Sequence, residues 1–141
     1  TGLHGSLEAY ASATGVTATA IEFLDRDPKV KSPLRDYARE DINSRIVYEC
    51  AINGDPIAKE VYDFTGKILG LALANFVMFS SPEAIILFGG LTKAGDLILK
   101  PTREHMEANL IKVFQNKVKI LVSHLKEADA AILGASALAW E

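Results

Sequence analysis

A helix-rich α/β fold with only about two strands is predicted by three observations. The apolar run Ala84-Ile85-Ile86-Leu87-Phe88 stops at Gly89-Gly90 and reads as one short strand. The run Val118-Lys119-Ile120-Leu121-Val122 reads as a second. About six other stretches carry helical spacing, so helices outnumber strands. The order strand, helix, strand implies a right-handed parallel crossover that leaves the two strands neighbours or near neighbours. Two strands do not make an independent sheet, so this one is expected to be completed by chain outside these residues or by another copy.

The first strand is the centre of the reading. Unbroken apolar character from Ala84 to Phe88 predicts burial on both faces, as in a parallel sheet. Ligands of open α/β sheets bind at the carboxyl ends of strands, where a residue without Cβ lets the backbone approach a ligand. Gly89-Gly90 is therefore the first place to look for a nucleotide, although a simple turn explains the same glycines.

The other elements follow in chain order. Residues 1–24 predict a turn at Gly2 to Gly5, a short helix over Leu7 to Thr14, a break at Gly15, and a second helix to Leu24 capped by Thr14 or Thr17. Residues 25–41, with two prolines and alternating charges, read as a mobile surface connection. Asn43 is placed to cap an amphipathic helix through Ile46, Val47, Cys50 and Ala51 that stops at Asn53-Gly54. Asp55 as N-cap and Pro56 as first residue then open a helix of about 24 residues, roughly 36 Å, ended by Pro82. The second half of that helix is apolar nearly all round, which predicts burial on more than one side. Beyond the glycines, Thr92 to Leu99 predict a helical turn and Pro101 to Phe114 a helix with Met106, Leu110, Val113 and Phe114 inward. Asp129 is placed to cap a last helix, Ala130 to Trp140.

Bulk properties exclude several classes. A length of 141 residues is one domain, able to bury about 70% of its unfolded surface. A net charge of −3 argues against direct nucleic-acid contact. The apolar stretch Ile68 to Phe79, which carries Asn75, is too short for a bilayer, so no membrane partner is expected. No signal peptide is visible, and the start at Thr1 rather than Met suggests a fragment. The lone Cys50 permits no internal disulfide and fits a cytoplasmic setting; at its apolar helical position it reads as core. His105 and His124 read as surface residues.

Three segments together resemble one family. Gly2-Leu3-His4-Gly5-Ser6-Leu7-Glu8, followed by Ala/Ser helix, is similar to a Cys-Gly-x-x-Gly-Cys-x-Glu segment. Gly54-Asp55-Pro56, the long helix with Gly70 and Asn75, Ser81-Pro82-Glu83 and Ile85 to Thr92 are similar to its central run, and Leu133-Gly134-Ala135-Ser136-Ala137 to its last helix. The family is the ROK group of bacterial sugar kinases and sugar-responsive repressors, and the chain most resembles its glucokinases. The resemblance covers nearly the whole chain, 1–141 forming a single partial domain. It implies the C-terminal part of an actin-like ATPase, ribonuclease H-like domain.

The resemblance also implies roles. Glu8 would be the substrate-binding glutamate, whose carboxylate accepts two sugar hydroxyls. Gly89 and Gly90 would lie against the adenosine and inner phosphates of ATP with Leu91 and Thr92 beside them, and Gly134 would be the small residue under the adenine. A helix-dipole role explains Glu8 equally well in isolation. The family's structural zinc is held by one histidine and three cysteines. Two of those cysteines fall at Thr1 and Ser6, whose hydroxyls do not replace thiolates, so no zinc is expected; His4 in the same loop has no partner ligand. The family's phosphate loops, catalytic Asn-Asp and Glu-x-Gly-His motif are absent from these residues. The chain alone is thus expected to lack a general base and a hold on the γ-phosphate and Mg²⁺. What is implied is a fragment of a kinase that transfers phosphoryl from ATP to a hexose 6-hydroxyl, or the sugar-sensing, dimerising domain of an N-acetylglucosamine-repressor-like regulator. Its substrate would be a hexose or N-acetylhexosamine, its form a homo-oligomer.

Overall fold

The computed structural model describes residues 5–125 and 127–137. Its first elements are α1 (Leu7–Tyr10) and α2 (Ala13–Arg26). Ser6 caps α1 by accepting from the Ala9 amide at 3.3 Å. Ser12 caps α2 by accepting from the Gly15 amide at 3.1 Å. The break thus falls at Ala11-Ser12, and Ser12 takes the cap expected of Thr14 or Thr17. Gly15 is not a break but a buried point of close approach: a Cβ there would lie 2.4 Å from the Tyr10 carbonyl oxygen.

The connection 25–41 is anchored at several points. A 3₁₀ turn, Pro33–Asp36, drives Leu34 fully into the core. The Arg35 guanidinium donates to the carbonyls of Leu24 at 3.1 Å, Asp27 at 2.7 Å and Val30 at 3.0 Å, and Arg39 pairs with Asp25.

Two helices follow as their punctuation predicts. In α3 (Ser44–Ile52), the Asn43 side chain accepts from the Arg45 and Ile46 amides, both at 3.1 Å. Cys50 is buried on its inner face, and that burial pushes its thiol pKa up. The Asp55 side chain caps α4 (Pro56–Ser80) by accepting from the Ile57 amide at 3.2 Å. Its other carboxylate oxygen accepts from the buried Ser32 hydroxyl at 2.7 Å, which ties the connection to the head of α4. By length and composition α4 could cross a bilayer, but half of that apolar window is buried inside the fold.

Two cores share α4. Ile57, Ala58, Val61 and Tyr62 pack with Val16, Phe23, Leu34 and Val47. Further on, Leu69, Leu73, Ala74 and Val77 pack with Met106, Leu110, Val118 and Ile120. Burial around the second half is one-sided, contrary to expectation: Phe76 is 54% exposed and Phe79 93%. The helix Asp96–Asn109 covers one flank, and none of the described residues covers these two.

Strand β1 (Ala84–Leu87) pairs in parallel with β2 (Lys119–Val122), Ile85 opposite Ile120 and Leu87 opposite Val122. Ile85 and Leu87 face the second core. Ile86 is 65% exposed, with Phe88 and Leu121 also outward, so β1 is covered on one face, not both. The continuous apolar run remains, but among the described residues the helices lie on only one side.

The helix between the strands, α5 (Asp96–Asn109), holds Pro101 in its interior rather than at its start, and ends before Phe114. Met106 and Leu110 face inward as expected, while Val113 is exposed. Proline removes one helical hydrogen bond, yet here its ring lies on Gly66 of α4, where an added Cβ would sit 2.6 Å from the Pro101 Cγ. One turn on, a Cβ at Gly70 would lie 2.6 Å from the Thr102 carbonyl oxygen and 2.8 Å from the His105 Cβ. The two glycines let α5 lie directly on α4, and His105 is half-buried there instead of on the open face. The last helix, α6 (Glu127–Ala137), starts before Asp129, which lies within it and is not its cap. Trp140, Thr1, Gly2 and His4 lie outside the described residues.

Candidate functional site

The turn after β1 is built for open backbone. Gly89 adopts φ 114°, a left-handed conformation that disfavours side chains. Its carbonyl accepts from both the amide of Thr92 at 3.1 Å and its hydroxyl at 2.7 Å, closing a 3₁₀ turn over Gly90–Ala94. A Cβ at Gly89 or Gly90 would meet nothing within 4 Å. Packing therefore does not demand these glycines: conformation does at Gly89, and open space lies beside both.

Two clefts flank this turn. The first, about 280 Å³, has Gly90, Leu91, Lys93 and Ala94 on one wall, and Ser44, Arg45 and Tyr48 of α3 with Tyr62 of α4 on the other. Its floor is mostly apolar and aromatic, which suits a flat heterocycle with a few polar groups at the edge. Burial pushes the Tyr62 hydroxyl up to about 12, with a smaller contribution from Tyr48, so Tyr62 is a neutral hydrogen-bonding group at ordinary pH. Arg45 donates through Nε to Glu49 at 2.9 Å, and both are exposed at the rim. The second cleft, about 430 Å³, lies at the carboxyl ends of both strands, lined by Phe88, Gly89, Thr92, Lys93, Val122, Ser123 and Leu125.

The structure thus brings together four of the six residues singled out from sequence: Gly89, Gly90, Leu91 and Thr92. The other two line neither cleft. Glu8 is exposed in the first turn of α1. Gly134 is exposed on α6, and a Cβ there would meet nothing within 4 Å, so no described neighbour requires a small residue at that position. Sequence reasoning missed Ser44, Arg45, Tyr48, Tyr62 and Lys93. Arg45 and Tyr48 sit one helical turn apart, Arg45 exposed and Tyr48 half-buried against the first core, a spacing shared by any pair along one helix face. Lys93 directly follows the glycine motif and was the one within reach.

The lining residues suit adenosine better than they suit a metal. Tyrosine, leucine and alanine walls beside open glycine backbone fit a purine and its ribose. Among the described residues no aspartate or glutamate lines either cleft, and Mg²⁺ takes carboxylate and phosphate oxygens, so the described lining residues do not form its ligand set. Among the described residues no three His, Cys, Asp or Glu side chains cluster as a metal site.

Parallel strands backed by helices, with clefts at their carboxyl ends, make up part of an actin-like ATPase domain of the kind found in sugar kinases. A sequence model of the ROK family matches residues 1–141, and the chain belongs to that family. It is 33% identical over 134 residues to a glucokinase of Halalkalibacterium halodurans, covering 94% of this chain and 40% of that protein. It is 25% identical over 137 residues to the DNA-binding transcriptional dual regulator NagC of Escherichia coli, covering 97% and 32%. The crystal structure of a ROK family glucokinase from Streptomyces griseus in complex with glucose and AMPPNP superposes with a TM-score of 0.81 at 27% identity, covering 97% of this chain and 45% of that one. The chain therefore spans less than half the length of each of these proteins.

Proposed function

We propose that this chain is part of an ATP-dependent sugar kinase of the glucokinase type, which transfers the γ-phosphoryl group of ATP to the 6-hydroxyl of a hexose. The observation that carries this is the likeness, over 97% of the chain, to a glucokinase bound to glucose and AMPPNP, with the cleft beside Gly90 in the corresponding fold. In this reading the base of ATP enters the first cleft between Tyr48 and Leu91, and the phosphates run across Gly89-Gly90. The Glu8 carboxylate accepts hydroxyl protons of the sugar and orients it. ATP supplies the phosphoryl group; Mg²⁺ would be held by the phosphates and by residues beyond these clefts. Gly134 lies under the base only if α6 closes toward the first cleft in the whole protein.

Catalysis itself is assigned to residues outside this chain, because among the described residues neither cleft contains a carboxylate to take the sugar proton. The isolated chain is proposed to be inactive, and the whole protein to be a cytoplasmic homo-oligomer. A second reading, the sugar-sensing and dimerising domain of a regulator, has its support in the NagC likeness. A coupled assay of the whole protein with glucose and Mg·ATP separates the two. The kinase reading expects turnover that falls at least about 100-fold in Glu8→Ala, the order of loss when a substrate-orienting group is removed. No turnover with any hexose, together with sugar-dependent DNA binding, refutes the kinase reading; full turnover in Glu8→Ala removes Glu8 from the sugar site.

A further inference from the structure

Of the described residues that line the first cleft, Tyr62 alone is buried, at 3% exposed, while Tyr48 and Leu91 are half-buried. Its ring belongs to the first core with Val16, Ala58 and Val61. Tyr62 is thus the floor of the cleft, and Tyr48 and Leu91 are its sides. Among the described residues the Tyr62 hydroxyl has no hydrogen-bond partner. It is not sealed off either: the described side-chain oxygen that is both enclosed and unpartnered belongs to Thr65. The Tyr62 hydroxyl therefore keeps contact with open space, and the open space that Tyr62 borders is the cleft. A buried tyrosine hydroxyl normally finds its partner inside the fold; this one faces the cleft instead.

Burial keeps Tyr62 neutral at ordinary pH. A neutral phenol both donates and accepts a hydrogen bond, which matches a ring edge that carries a nitrogen acceptor beside an amino group. A flat heterocycle that enters between Tyr48 and Leu91 turns its faces to those two side chains and its edge to the floor. We infer that Tyr62 is a specificity-determining residue whose hydroxyl hydrogen-bonds the six-membered-ring edge of a purine base held between Tyr48 and Leu91. This rests on the adenosine placement proposed above, and adds to it the group that reads the base. Stacking walls accept any flat ring, so Tyr48 and Leu91 supply affinity without discrimination. An apolar ring of the same shape would cover the Tyr62 hydroxyl and leave it unpartnered, a loss that a ring with a polar edge avoids.

The test is calorimetric titration of the whole protein with ADP and with benzimidazole riboside 5′-diphosphate, which keeps the two-ring shape and the phosphates but lacks the ring nitrogens and amino group of that edge. Wild type should bind ADP at least about tenfold more tightly than the analogue. In Tyr62→Phe, ADP affinity should fall about tenfold while analogue affinity stays within about twofold or tightens, so the preference for ADP collapses. A merely structural role would not move that ratio. Tyr62→Phe should also melt within about 3 °C of wild type at pH 7, as a hydroxyl without a partner in the fold requires. Equal weakening of both ligands, unchanged ADP affinity, a wild type without preference, or a clearly lower Tm overturns the inference while the adenosine placement stands. The placement has its own readout in Tyr48→Ala, which should weaken both ligands about tenfold through lost stacking. Failure of wild type to bind ADP, or no effect of Tyr48→Ala on either ligand, overturns the placement and this inference together.

Discussion

Replacing Gly70 by alanine tests how closely α5 seats on α4. Glycine in a helix interior costs about 1 kcal/mol relative to alanine, so at an unconstrained site the change would stabilise. At Gly70 the new methyl would lie 2.6 Å from the Thr102 carbonyl oxygen and 2.9 Å from the Met106 amide nitrogen, both backbone atoms of α5. Restoring ordinary contact requires α5 to retreat by about 1 Å, which loosens the core that Leu69, Leu73, Met106 and Leu110 share. Overpacking of this kind costs about 1–3 kcal/mol, and more where backbone must move. Net destabilisation of about 1–2 kcal/mol follows, a fall in Tm of roughly 3–8 °C for a domain of this size. Gly134→Ala is the control, since open space surrounds it and propensity alone acts. Thermal and urea unfolding followed by far-UV circular dichroism, with coincident calorimetry to check two-state behaviour, reads both. Gly70→Ala melting at or above wild type would refute the close-packed seat of α5 on α4.

Three other outcomes are expected. Asp55→Ala should lose about 2–4 kcal/mol in urea unfolding, because it removes the N-cap of α4 and strands the buried Ser32 hydroxyl; a loss below about 0.5 kcal/mol would show that neither bond matters. For Tyr62, burial raises the folded-state value from 10.0 to about 12. The native state thus holds the proton more tightly than the unfolded chain, so this contribution is whole below pH 10 and is lost as pH rises from 10 toward 12, up to about 2–3 kcal/mol. Tyr62→Phe should flatten that part of the stability profile, and a superimposable profile would count against the buried hydroxyl. Phe79, 93% exposed beside Phe76 on α4, should drive self-association of the isolated chain; sedimentation should show association that Phe79→Asp weakens, and a monomer at high concentration in wild type would exclude it.

The features legible in the sequence were those governed by neighbours a few residues away. Asn43, Asp55 and Pro56 announced two helix starts because a cap bonds amides two or three residues on. The two strands and their parallel order were readable because a crossover leaves little choice of arrangement. Where several local signals competed, the reading slipped. Ser12 outcompeted Thr14 and Thr17 as cap. Pro101 sits in mid-helix because its contact with Gly66, 35 residues earlier, outweighs the preference for a first-turn position.

By itself the sequence determined the composition of the elements, the Gly-Gly turn at a strand end and the family likeness carried by motif order. Only the tertiary structure decided which apolar residues are covered, since Ile86, Phe76 and Phe79 look like core in a linear pattern and stand exposed among the described residues. The clefts belong to the same category. Tyr48, Tyr62 and Leu91 come from three separate elements, and a cavity wall is a relation among surfaces that no local periodicity encodes. The turn at Gly89-Gly90 was visible in the chain; that Lys93 stands between two clefts was not, because that depends on how α3, α4 and both strands pack around it.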